Sequence, residues 1–156
     1  MKKLVALALA AAALVVIAIA PATAPARTHG PFAGAAHVDL VLTYRDGTTK
    51  TVSFNRGERP KGIFKGVVHA NITVTRTDGS TRSLNYDRGQ ITAVGGGSVT
   101  FKRVDGVSVT LAVGAKTVVR EKGKRVNLDD LAVGDRAMFF SANGTARLVR
   151  CISKAT

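Results

Sequence analysis

The sequence predicts an all-β fold, repeated β-hairpins forming a small barrel or sandwich, placed behind an N-terminal signal peptide. Three observations carry this. From His37 onward apolar and polar residues alternate in short runs, with no stretch of helical periodicity. Those runs are separated by Asp46-Gly47, Asp78-Gly79, Asp105-Gly106 and Asn143-Gly144, the dipeptides that turn a chain back on itself as a hairpin. The runs are also copies of one another. Leu40 to Gly57 recurs 32 positions later as Ile72 to Gly89, and Val99 to Gly114 repeats the pattern 27 positions further on.

The chain opens with Met1-Lys2-Lys3, an unbroken apolar run from Leu4 to Ala20, and then Pro21-Ala22-Thr23-Ala24-Pro25-Ala26. This is the order of charged, apolar and small-residue regions in a secretory signal. Cleavage after Ala24 would put proline at the first mature position, so residues 1–26 are expected to leave, with Arg27 as the new N-terminus. There is no lipobox cysteine and no twin arginine, which points to the general secretory route and to a secreted or cell-envelope location. No integral membrane segment is expected after cleavage. Residues 27–36, rich in glycine, proline and alanine, read as a linker, and 37–156 as the β domain. Removing 26 of the 156 residues leaves 130, enough for one domain, and lowers the formal charge from +13 to +11 by the two lost lysines. The single cysteine, Cys151, excludes an internal disulfide and a cysteine metal cluster.

Parity decides the turn geometry. A two-residue turn at Asp46-Gly47 would set Leu40 opposite Ser53 and break the apolar face. A three-residue loop, Arg45-Asp46-Gly47, with the glycine left-handed, pairs Leu40 with Val52 and Val38 with Phe54. The same loop pairs Ile72 with Leu84, Val99 with Leu111 and Phe101 with Val109, so one geometry satisfies every copy. After Gly114 the pattern changes. Thr117-Val118-Val119 reads as a short strand, Arg120 to Val126 as a basic turn, and Asn127 to Leu131 as a single helical turn with Asn127 as its cap. Arg136 to Phe140 and Thr145 to Ile152 read as the last two strands.

Within the second half, Gly89-Gln90-Ile91-Thr92-Ala93-Val94, Ser98-Val99-Thr100-Phe101, Thr117-Val118-Val119 and above all Asp130-Leu131-Ala132-Val133-Gly134-Asp135 stand out. On these motifs residues 89–153 resemble a family of exported bacterial domains of unknown function with an OB-like small β-barrel. The resemblance implies an OB-like unit over 89–156, following repeat hairpins over 37–88. That family carries no assigned activity, so it implies no site residue and no cofactor.

No catalytic constellation is visible. Asp129 and Asp130 are neighbours on a turn and cannot face one bond as a glycosidase pair must. Ser98 lacks the glycine two positions on that a nucleophile elbow needs, and the run Gly95-Gly96-Gly97 has no phosphate-loop lysine. His37 and Asp39 share a strand face, and His69 is the repeat equivalent of His37, yet Asn71 replaces the carboxylate in the second copy; no metal and no cofactor are expected. The protein is therefore read as an exported, non-enzymatic β domain with a binding or structural role in the envelope or outside the cell. The alternative is a polyanion-binding module using basic loops, namely Lys116, Arg120, Lys122, Lys124 and Arg125, with an anionic envelope polymer as partner. Nucleic acid is not expected as a partner, because Phe54, Tyr86 and Phe101 fall on the apolar face and no tryptophan is present to stack on bases. Only Phe139, beside Phe140, has an ambiguous parity. Mass spectrometry of the exported protein should find Arg27 at the N-terminus; a mature product that keeps residues 1–20 would mean the apolar run is an anchor.

Overall fold

The computed structural model describes residues 32, 34–58 and 60–155. The expected signal peptide, and part of the expected linker, lie outside them. The chain forms β1 (Ala35–Tyr44), β2 (Thr49–Asn55), β3 (Val67–Arg76), β4 (Thr81–Gly95), β5 (Ser98–Arg103), β6 (Ser108–Ala112), β7 (Val118–Glu121), β8 (Lys124–Val126), a 3-10 turn (Leu128–Asp130), β9 (Arg136–Ala142) and β10 (Thr145–Ser153). The protein is all-β, with no α-helix among the described residues. Among those residues no helix is long and apolar enough to cross a membrane.

The three hairpins have the predicted register: Leu40 faces Val52, Ile72 faces Leu84 and Val99 faces Leu111. Each is closed by the same pair of bonds. Gly47 N–H donates to the Tyr44 carbonyl (3.0 Å) and Tyr44 N–H to the Thr48 carbonyl (2.9 Å); Arg76, Gly79 and Ser80 repeat this, as do Arg103, Gly106 and Val107. Gly47, Gly79 and Gly106 have φ of 81°, 80° and 90°, the left-handed conformation the loop requires of its last residue.

Strands β2, β1, β3 and the first half of β4 lie in that order in an antiparallel sheet, a meander interrupted once because β2 and β3 flank β1 on opposite sides. The second half of β4 starts a ring. It pairs with β5, β5 with β6, β6 with β10, β10 with β9, and β9 returns to β4. This is a small OB-like barrel whose closure is only partial, since β6 and β10 meet in the single parallel rung Ala112–Thr145, supported by Ala112 N–H donating to the Gly144 carbonyl (2.9 Å). The β7–β8 hairpin extends the sheet outward from β10, again in parallel pairing.

β4 is one continuous strand of 15 residues that belongs to both parts. Because side chains alternate across a strand, its two faces serve two cores. Leu84 and Tyr86 join Val38, Leu40, Ile72 and Phe140 in the meander core, while Ile91 joins Val99, Phe101, Phe139 and Val149 inside the barrel. Phe139 and Phe140 part company in the same way, and Phe139 stacks on Phe101 with ring centroids 3.8 Å apart. Gly89 lies where the barrel wall is tightest. A Cβ there would sit 2.6 Å from the Lys102 carbonyl oxygen and 2.9 Å from the Phe101 ring.

The chain end is fastened by Asp135, whose side chain is fully buried. Its carboxylate accepts N–H bonds from Ala132 (2.9 Å) and Ala155 (2.9 Å) and pairs with the Lys154 ammonium (3.1 Å). Burial pushes this carboxyl up, but the two backbone donors and Lys154 outweigh it and hold it below the ordinary aspartate value.

Two predictions follow from this packing. Gly89→Ala must move backbone or the Phe101 ring, at a cost of about 1–3 kcal/mol as for other overpacked sites, read as a lowered urea midpoint; an unchanged midpoint would mean the wall can relax. A depressed native pKa makes the contribution of Asp135 complete above the unfolded aspartate value of about 4 and lost as pH falls through the native value. The difference in Tm between wild type and Asp135→Asn should therefore shrink as pH is lowered from 5 to 3.

Candidate functional site

The molecule's surface is sorted by charge, and strand parity does the sorting. On the meander face opposite its core, successive rungs from β2 to β4 read Asn55–His37–Thr75–Thr81, Ser53–Asp39–Thr73–Ser83, Thr51–Val41–Asn71–Asn85 and Thr49–Thr43–His69–Asp87. Neither lysine nor arginine occurs among these positions. The repeat shows in their bonds: His37 Nδ1 contacts Asn55 Oδ1 at 2.8 Å and His69 Nδ1 contacts Asp87 Oδ1 at 2.8 Å. His37 Nε2 also reaches Asp39 at 3.0 Å. With acceptors at both ring nitrogens, Asn55 first and Asp39 second, His37 titrates above its ordinary value. Ser53 Oγ donates to Asp39 (2.6 Å) rather than to the imidazole, which is not the order of a nucleophile relay. Among the described residues no group of three or more His, Cys, Asp or Glu side chains is gathered as a metal site would need.

The cations gather on the other side. Arg125 on β8 is in register with Arg120 on β7, Arg120 with Arg150 on β10, Arg150 with Met138 on β9, and Met138 with Arg88 on β4. The neighbouring rungs fix which way these side chains face. Val119 and Val149 are buried in the barrel core, so Arg120 and Arg150 point outward. The result is one row of four arginines across five strands, with Met138 as its only uncharged member. At about 4.8 Å per strand, the row from Arg125 to Arg88 runs roughly 19 Å along the sheet. Among the described residues none of the four forms an ion pair; the nearby carboxylates are engaged elsewhere. Asp87 and Asp105 both hold Arg103 (3.1 and 2.6 Å), and Glu121 faces Lys154 (3.4 Å). A groove of about 330 Å³ borders the Arg88–Met138–Arg150 end of the row, with Arg88, Arg150 and Lys122 on its rim and Phe64, Tyr86 and Met138 along its apolar side.

The residues expected from sequence are only partly brought together. Arg120 and Arg125 do lie side by side, but in strands: the segment Arg120 to Val126 is not a basic turn but a β-hairpin joined by Lys122-Gly123, with φ of 47° and 82°. Lys122 reaches the groove. Lys124 is in register with Glu121, one rung beyond the row, and Lys116 lies in the turn before β7, off the row. Arg150 and Arg88 complete the row and were not anticipated. Their shared parity with Arg120 depends on the β7–β10 and β4–β9 pairings, which no local pattern announces.

The outward positions of β5 and β6, the face where OB-folds bind oligonucleotides, carry Thr100 and Lys102 beside Thr110 and Ser108. All six phenylalanines and both tyrosines pack into one of the two cores. No aromatic is left to stack on bases there. The chain matches no family model, no curated protein and no solved structure.

Proposed function

We propose that this protein is an exported, non-enzymatic β domain, akin to the exported OB-like domains its second half resembles, which binds an anionic polymer of the cell envelope along the arginine row. One observation carries the reading: in a chain of formal charge +13 the strand positions of one sheet face hold no lysine or arginine, while four arginines are aligned on another. Charge kept for solubility alone has no reason to be sorted. Like charges placed directly opposite each other on neighbouring strands destabilise a sheet by a few tenths of a kcal/mol per pair. A row of them is a standing cost that a bound polyanion would offset. Its course of roughly 19 Å along the sheet at strand spacing suits an extended chain carrying a charge on every repeat, and the unpaired guanidinium forks suit phosphate or carboxylate groups. His37, Asp39 and Ser53 are bonded in an order that does not activate a nucleophile, which supports binding rather than catalysis.

Binding of fluorescent long-chain polyphosphate to the mature protein should weaken linearly in log salt. Replacing Arg120, Arg125 and Arg150 together by glutamine should reduce the slope by about 2–3, near one per lost contact. Arg56→Gln with Arg76→Gln, which lie off the row, should change it much less. Equal effects from both sets would leave only net charge, and no binding in low salt would remove the reading.

A further inference from the structure

A second opening lies across Arg88 from the row. It measures about 500 Å³, and its cations are Arg45, Arg88, Lys102, Arg103 and Arg136. Three of these are grouped by the strand registers. Arg136 on β9 and Lys102 on β5 flank Gln90 on β4 in a single rung, so their backbones stand roughly 10 Å apart. Arg88 lies two residues back on the same face of β4, one pleat or roughly 7 Å away. Arg45 comes from a different element, the β1–β2 hairpin turn, and lines the far side. The fifth cation, Arg103, is compensated: Asp87 and Asp105 hold it at 3.1 and 2.6 Å. The other four form no ion pair among the described residues, and no carboxylate lines the opening. Gln90, at the centre, is fixed by its Nε2 donating to the Gly134 carbonyl (3.0 Å).

The shape of this cluster differs from that of the row. The row is a line of single charges at strand spacing, whereas here four cations border one recess from three sides. A line suits a chain of separate charges; a ring suits one compact group that carries several. A tetrahedral phosphoryl group carries a charge of about −1.5 to −2 near neutral pH and enough acceptor oxygens for arginine forks to engage from different directions. The volume falls within the range of small-molecule sites, so a sugar-sized carrier fits beside the phosphoryl group.

We propose that the recess bounded by Arg45, Arg88, Lys102 and Arg136 is a phosphoryl-binding site separate from the arginine row, taking free phosphate or a phosphate monoester. This does not rest on the polymer reading. Arg88 borders both openings, and it is the one residue through which the two sites touch.

The test is thermal unfolding and calorimetry of the mature protein with inorganic phosphate, pyrophosphate and glucose 1-phosphate, at ionic strength held constant with chloride. Phosphate should raise Tm and saturate as a single site. Arg136→Gln and Lys102→Gln, both at exposed positions, should weaken it about tenfold or more, while Arg120→Gln and Arg125→Gln leave it within about twofold. Polyphosphate should show the reverse dependence, and Arg88→Gln should weaken both. Tighter binding of glucose 1-phosphate than of phosphate assigns the site to a carried phosphoryl group, and the opposite order to the free ion. The proposal is overturned if phosphate has no effect beyond chloride up to about 20 mM, the weak limit of a useful site, or if both pairs of variants weaken it equally.

Discussion

The structure depends on one strand being shared. β4 carries Leu84 and Tyr86 into the meander core from one face and Ile91 into the barrel from the other, and β9 does the same with Phe140 and Phe139. Neither core has a wall without these two strands. Gly89 allows it, since the barrel-side face of β4 meets Phe101 and the β5 backbone at a distance that leaves no room for a Cβ. The two halves are therefore joined by packing through a common sheet, which is a stiffer connection than a linker between domains.

The charge pattern follows from the same geometry. On the meander-core face, Tyr86, Phe140 and Leu148 form a rung across β4, β9 and β10. One pleat further on the rung is Arg88, Met138 and Arg150, and the β4–β9 pairing then continues with Gln90 and Arg136. The apolar face runs out at Arg88 on β4 and Arg150 on β10, and one pleat later, at Arg136, on β9, and cations replace it. This is why the groove has an apolar side and a basic rim, and why the two openings meet at Arg88. The opposite meander face takes short hydroxyl and amide side chains instead, at positions the repeat had already set two apart.

What could be read from the sequence was local. The Asp-Gly loops and the parity of Leu40 with Val52 are relations within one hairpin, the repeats carry them along the chain at offsets of 32 and 27 positions, and each is found in the fold. The continuity of β4 through Gly89 was not legible, because the repeat boundary there looks like a break between units. Nor was the row: Arg120 and Arg125 are neighbours in sequence, but Arg150 joins them through a parallel pairing and Arg88 through β9, contacts between strands far apart in the chain. Lys116 and Lys124 were grouped with them by proximity along the chain, a poor guide once a tight turn at Lys122-Gly123 puts successive residues on opposite faces.

Under the proposed function the arrangement of the cations, rather than their number, determines binding. It is tested most directly by moving charge without changing it. In the variant Arg120→Thr, Arg125→Thr, Thr51→Arg, Thr73→Arg, two arginines leave the row and two appear on the meander face whose positions hold no lysine or arginine, at exposed positions and with net charge unchanged. Polyphosphate affinity at low salt, measured beside wild type on variants of equal thermal stability, should fall by about tenfold or more, as expected for two lost contacts of roughly a kcal/mol each. Retention of wild-type affinity would contradict the account, because net charge alone would then explain the binding.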